Sequence, residues 1–258
     1  MLKYNLTEET NVQIADDKFQ GLINDDLREI IQALEDYGFQ VRIVGGAVRD
    51  ILLGVVPRDI DLSTDALPDQ IIFILSELEI DADAWGIAHG TVKAIIKKVK
   101  YDISSLDYQV HKDANGKIVI SGAGSTWEED AARRDFTANA MSMDLSGKVY
   151  DYFNGIKDLE NGMVRPVTEF EANIKRTPVV ILRFFKMLAK FQGAKYSRKT
   201  LQLVKDNLDL VDTISIKRIK QELAGIRKSV NGKNTIKLMK EIGLIDILNA
   251  KLRKSSTK

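Results

Sequence analysis

The apolar positions of this chain change rhythm along its length, and those changes outline its architecture. Between residues 25 and 38, Leu27, Ile30, Ile31 and Leu34 recur at helical spacing and the pattern stops at Gly38. This predicts an amphipathic helix closed by a glycine. FQVRIVGG then has strand character and ends on two glycines, AVRDILLG predicts a short helix stopped by Gly54, and Ile60–Leu62 a short strand. A further helix is expected after Pro68, followed by two strands rich in β-branched residues, Thr91–Ile96 and Tyr101–Leu106, on either side of a basic turn. Helix, strand, helix, strand, helix, strand, strand describes a compact α/β unit with a mixed or antiparallel sheet.

Residues 112–126 are rich in Gly, Asn, Asp and Ser and predict a loop. From Glu128 a helix is expected to carry EEDAARRDFTANAMSM, and Gly147 divides Met141–Leu145 from Val149–Tyr152 as a hairpin. Beyond Pro166 the pattern becomes helical. Pro178 to Phe191 reads as a strongly apolar helix, and Arg198 to Leu248 as three or four more, divided at Asp209–Asp212 and Asn231–Gly232. The expected domains are therefore 1–167 and 168–258. Val179, Leu182, Phe185 and Leu188 read as the core of the second, with a homo-oligomer interface as the other use for such a face.

Composition narrows the classes. With 258 residues, 44% of them apolar, the chain has material for a substantial core. A net charge of +1 weighs against indiscriminate wrapping of nucleic acid, yet lysines and arginines gather from Lys217 onward, the natural place for a polyanion to lie. The absence of cysteine excludes disulfides and thiolate metal sites, and two histidines, His89 and His111, are too few for a histidine-rich centre. Residues 1–20 lack the basic and apolar regions of a secretory signal, and no apolar run approaches the roughly 20 residues of a membrane span. A soluble, cytoplasmic protein without membrane contact is the expectation.

The chemistry concentrates in VGGAVRDILLGVVPRDIDLST, residues 44–64. Asp59 and Asp61 alternate with Ile60 and Leu62, so a strand directs both carboxylates to one face and the apolar pair to the other. Carboxylates rooted about 6–7 Å apart on such a strand suit divalent ions, Mg2+ above all, whose octahedral shell is completed by water and substrate phosphates. Adding a third carboxylate permits two ions about 4 Å apart, able to stabilise both oxygens of an in-line displacement. Asp102, on the following hairpin, is the preferred third; Asp107 and Asp113 lie near or in the loop and are less constrained. Gly45 and Gly46 allow a phosphate to approach the backbone, and Arg49 and Arg58 are candidate phosphate ligands, Arg58 having Asp50 as its other partner. In the second polar stretch, Arg134 suits the ribose or triphosphate of a nucleotide, and Asp135 a ribose hydroxyl or the orientation of that arginine. The competing reading is an intrahelical ladder, Glu129 to Arg133 and Asp130 to Arg134.

These two stretches resemble the signatures of the class II (bacterial-type) tRNA nucleotidyltransferase and bacterial poly(A) polymerase family, within the polymerase-β-like nucleotidyltransferase superfamily. GGAVRDILLGVVPRDIDLST is similar to its first signature and RRDFTANA, residues 133–140, to its second. His89-Gly90-Thr91-Val92 and the segment Ser215–Leu248, with Glu222, Leu223 and Gly243-Leu244, resemble further parts of it, so the likeness spans roughly residues 25–248. The resemblance implies an α+β fold, a polymerase-β-like head with a mixed five-stranded sheet followed by a helical neck. It also implies metal-binding catalytic roles for Asp59, Asp61 and Asp102, a triphosphate site at Gly45, Gly46 and Arg49, and a sugar site at Arg134, Asp135 and Asn139. The implied activity is transfer of AMP or CMP from an NTP to an RNA 3′ hydroxyl, tRNA among the acceptors, with two Mg2+ ions (or Mn2+) and release of pyrophosphate.

Departures from the family pattern sharpen the question. Where the neck normally offers an aspartate and an arginine to the base, KRTPVVILRFFKM carries Thr177 and Val180; Arg183 survives and Lys186 takes a later arginine position. Valine has no hydrogen-bonding group, so base selection by that device is lost. Asp107 replaces an arginine, and the family's body and tail are expected to be missing or reduced. Two alternatives to RNA extension follow: the same chemistry on a small molecule or protein, or a silent module that binds RNA or nucleotide.

Overall fold

The computed structural model describes residues 4–8, 11–14, 17–83, 86, 90–106, 109–112, 118–121 and 125–254. His89, Asp107 and Asp113, and the side chain of His111, lie outside what it describes. The chain divides into two compact units. The first comprises residues 1–134 and 139–155, the second 135–138 and 156–258.

In the first unit, β1 (Tyr4–Glu8), β2 (Asn11–Ile14), β3 (Val41–Val44), β4 (Asp61–Thr64), β5 (Asp81–Asp83), β6 (Thr91–Ile96), β7 (Val99–Ser105), β10 (Ser142–Met143) and β11 (Lys148–Tyr150) form one mixed sheet. Its order is β1-β2-β11-β10-β3-β4-β7-β6-β5, and among its pairings β4–β7 is parallel. A separate hairpin joins β8 (Gln109–Lys112) to β9 (Ile118–Ser121), within the stretch expected to be loop. The sheet thus has nine strands among the described residues, where five were expected. The additions are edges: the β1–β2 hairpin extends one side by pairing β2 with β11, and three-residue β5 extends the other by pairing with β6. These segments are short, three to five residues each; backbone pairing joins them to the sheet, and Ile14 of β2 is also buried.

One face of the sheet carries the core. Ile43, Leu62, Ile103 and Val92 are register partners across β3, β4, β7 and β6, all essentially inaccessible to solvent. Burying each such side chain stabilises the fold by roughly 1.5–3 kcal/mol. Packed against these strands are α1 (Asp25–Asp36), through Leu27, Ile30, Ile31 and Leu34, and α3 (Pro68–Glu77), through Ile71, Ile74 and Leu75. Asn24 caps α1 by accepting from the Leu27 amide, and Pro68 opens α3 where its missing N–H costs nothing. Between β3 and β4 runs α2 (Gly46–Leu52).

The helix expected from Glu128 to Met143 is much shorter. α4 (Trp127–Ala132) is closed at its start by a capping box between Thr126 and Glu129, and it ends at Arg133. The Asp135 carboxylate then accepts the Phe136 amide, Thr137–Asn139 form one 3-10 turn, and the chain enters β10. Local capping by Asp135 competes with helix continuation.

The second unit is helical: most of α5 (Gly155–Glu160), then α6 (Phe170–Arg176), α7 (Val180–Lys190), α8 (Arg198–Asp206), α9 (Ile216–Lys228), α10 (Gly232–Glu241) and α11 (Leu244–Lys254). Its centre is α7, packed against α9 and α10, with Leu182, Phe185 and Leu188 buried within this one chain. Their burial needs no second copy. Phe136 joins the same core, its ring 6.2 Å from Phe170 and 6.3 Å from Phe184. Glu222 is 2% exposed and accepts from Lys186 at 2.9 Å and Arg218 at 3.0 Å, two cations offsetting one buried carboxylate. No helix among the described residues is long and apolar enough to cross a membrane.

Candidate active site

Opposite the core, the other sheet face is polar where β4, β7 and β6 meet. Asp61 on β4 pairs in parallel register with Asp102 on β7, and Asp102 pairs with Lys93 on β6. Directly opposed residues project to the same face, so three adjacent strands, about 4.8 Å apart, present Asp61, Asp102 and Lys93 side by side. Asp59 precedes the strand by two positions. It and Asp61 are exposed while Ile60 and Leu62 are buried, the alternation expected from sequence.

The electrostatics are those of crowded carboxylates. The Asp61 carboxyl is raised above the usual aspartate range, first by partial desolvation, then by the charges of Asp102 and Asp59, with Arg134 and Lys93 opposing them. Asp102, Asp59, Arg134 and Lys93 therefore lie close enough to act on Asp61. An all-oxygen donor set under mutual repulsion fits a hard divalent cation, whose charge would relieve the crowding. Among the described residues no three His, Cys, Asp or Glu side chains already surround one point. The fit is to an open site at Asp59 and Asp61, while Asp102 is engaged by the Lys93 ammonium.

The glycine turn adjoins this row. Gly45 follows Val44, the register partner of Asp61, and its backbone sits at φ 73°, ψ −132°, a region reserved for glycine. Its amide donates to the Met141 carbonyl at 3.1 Å, which ties the turn to the segment entering β10. A Cβ at Gly45 would stand 2.8 Å from Arg134 Nη1, so that guanidinium lies directly over the turn. Arg134 also pairs with Asp130 at 2.9 Å, and Arg133 with the same carboxylate at 3.3 Å. Half of the expected ladder is thus present, but Glu129 caps Thr126 instead of meeting Arg133.

Arg49 is only 5% exposed. Its guanidinium bonds Asp50 at 2.8 Å and donates to the Asn139 side chain, and Arg58 is exposed. Asp50, offered in the sequence reading to Arg58, thus pairs with Arg49. Arg49 and Asn139 are brought together beneath the glycine turn, as a brace between α2 and the 3-10 segment.

Residues 41–165 match the family described as "Poly A polymerase head domain". The CCA-adding enzyme of Lactobacillus helveticus (strain DPC 4571) is 34% identical over 197 residues, 75% of this chain and 47% of that protein. The mitochondrial CCA tRNA nucleotidyltransferase 1 of Homo sapiens is 33% identical over 212 residues, 81% of this chain and 48% of that one. The chain belongs to the CCA-adding enzyme and poly(A) polymerase family of polymerase-β-like nucleotidyltransferases. The crystal structure of Bacillus stearothermophilus CCA-adding enzyme in complex with CTP, a further member, matches with a TM-score of 0.73 and 29% identity over 86% of this chain and 53% of that one. The chain spans about half the length of the curated relatives it matches.

Against that family background, the neck positions can be placed within the helical unit. Arg183 on α7 lies 3.7 Å from Asp135. Thr177 closes α6 and Val180, 1% exposed, opens α7. The residue that sequence reasoning missed is Lys93. Its signal was the β6–β7 turn: Lys97 and Lys98 both have positive φ, 48° and 72°, as a two-residue hairpin turn requires. Counting outward from that turn sets Lys93 opposite Asp102.

Proposed function

We propose that this chain is a divalent-metal-dependent nucleotidyltransferase that moves AMP or CMP from an NTP to an RNA 3′ hydroxyl and releases pyrophosphate. The observation that carries this reading is the in-register pairing of Asp61 with Asp102 beside the Gly45 turn, in a chain of this family. The relatives are named for adding CCA and as tRNA nucleotidyltransferases, which makes a tRNA the first acceptor to try.

Asp59 and Asp61, with Asp102 as third ligand, would hold Mg2+ or Mn2+, which when bound lends positive charge to the oxygens entering and leaving phosphorus. In this reading Asp102 would also help draw the proton from the attacking hydroxyl. Gly45 and Gly46 leave room for the triphosphate, and Arg134, lying over the turn, can meet two of its oxygens or the ribose through one planar fork. Exposed Arg58 is a further candidate for the same phosphates. Arg49 acts at one remove, holding Asn139; Asn139 and Asp135 are each carried over from the family's second signature as candidates for the sugar. Arg183 supports Asp135. Val180 offers no hydrogen bond to a base and Thr177 only a hydroxyl, so this reading predicts a weak preference between ATP and CTP.

A pyrophosphate-release screen tests all parts together: ATP, CTP, GTP and UTP, each with tRNA lacking its 3′ end, with total RNA, and without RNA. Release with ATP or CTP that depends on RNA and on Mg2+, and vanishes in Asp61→Ala, is the expected result. Release unaffected by that substitution, or none with any nucleotide and acceptor, would overturn the reading.

A further inference from the structure

The three charged positions on β6, β7 and β4 alternate in a way that a plain metal site does not need. Lys93, Asp102 and Asp61 stand in one row, and the Lys93 ammonium is paired with Asp102, the two side chains 32% and 43% exposed. Among the described residues Asp102 is the ion-pair partner of Lys93 and Lys93 that of Asp102. The arrangement is imposed by the fold: the Lys97–Lys98 turn fixes the hairpin register, and Val92 and Ala94, both fully buried, lock the alternate face inward. Lys93 therefore cannot rotate away with its strand; only its flexible side chain can leave. A lysine ammonium and a divalent cation compete for the same carboxylate lone pairs, and an ammonium on a four-carbon stem is a displaceable occupant.

We infer that Lys93 is a resident counter-ion for Asp102, which a divalent cation must displace before that carboxylate can join the metal site. The inference rests on the proposed metal-dependent reading and deepens it. Lys93 is a positioning residue: it holds the third carboxylate on the sheet face and keeps it out of the metal shell until the cation arrives. Asp59 and Asp61 remain free to take the first ion, while engagement of Asp102 carries an added cost. Because the pair is partly exposed, that cost is modest, in keeping with the small worth of surface ion pairs.

The test is direct Mn2+ binding to the full chain without nucleotide, followed by calorimetric titration and by the loss of the free-ion paramagnetic signal. Lys93→Met is expected to tighten Mn2+ binding roughly two- to fivefold. Lys93→Arg, which keeps the charge, should stay within about twofold of the unaltered chain. Adding Asp102→Asn to Lys93→Met should erase the gain, as a cycle between coupled residues requires. Thermal unfolding checks that each variant is folded, and Lys93→Gln serves the same purpose if the methionine variant is not. Unchanged affinity in the neutral variants, or a gain that survives Asp102→Asn, overturns the inference alone. Absence of Mn2+ binding in every form, Asp61→Asn included as a control, overturns it together with the reading it rests on.

Discussion

At the scale of single residues, the site is organised by what is absent at Gly45 and what is crowded at Asp61. A side chain at Gly45 would meet Arg134 Nη1 at 2.8 Å on a backbone that L-residues avoid. Gly45→Ala should therefore cost on the order of 1–3 kcal/mol of stability, read from denaturant unfolding, and displace Arg134 enough to weaken NTP binding. A stable variant with normal NTP affinity would show that the turn is not the nucleotide's seat. Asp61 presents the opposite situation, a carboxylate held among like charges. In the presence of a chelator, Asp61→Asn should melt at a higher temperature than the unaltered chain, because one repelling charge is gone. With excess Mg2+ the difference should shrink or reverse, since only the unaltered site gains from the ion. A functional carboxylate leaves this mark; an incidental surface aspartate does not.

At the scale of elements, the β6–β7 hairpin decides which side chains meet. Its turn places two lysines at positive φ, a conformation that costs L-residues roughly 1–2 kcal/mol each and glycine almost nothing. Lys98→Gly is expected to stabilise the chain by about 0.5–1 kcal/mol, measured by urea denaturation, with the register of Lys93 and Asp102 unchanged. Lys97 is the poorer choice, since it pairs with Asp26 at 2.8 Å. The hairpin also shows what was legible in advance. Its two strands were plain from β-branched residues, as α1 was from its apolar spacing and α3 from Pro68. Which residues face one another was not, because register follows from turn length, and a run of lysines hides where the turn is centred. For a related reason β1, β2 and β5 escaped notice: strands of three to five residues are too short to show a periodicity. The RRDF stretch misled in the other direction, since its i,i+4 charges look helical while Asp135 caps the chain locally and ends the helix. Asp59, Asp61 and the glycines were readable because alternation and turn chemistry act over a few residues. Their juxtaposition with Asp102 required a parallel pairing that only the folded sheet reveals.

At the scale of the molecule, a net charge of +1 conceals a division. The first unit holds 26 acidic and 15 basic residues, the second 23 basic and 11 acidic. Under the proposed function, an RNA strand would be repelled by the first unit and attracted by the second. On α10, Lys233, Lys237 and Lys240 are exposed at helical spacing, one stripe of positive charge. Reversing all three to glutamate should weaken RNA binding and lower the slope of log affinity against log salt by roughly 2, at about 0.7 per single-strand phosphate. An unchanged slope would move the RNA elsewhere. The parallel β4–β7 ladder has a further consequence, for the order of events in folding. Asp61 and Asp102 are joined through a crossover containing α3, β5 and β6, so no local structure can bring them together. Such non-local closures come late and slowly. A chain emerging from the ribosome would carry its first carboxylates unmatched until the whole crossover had been made. In refolding experiments, Mn2+ capture should lag behind recovery of helical signal by the time that closure takes.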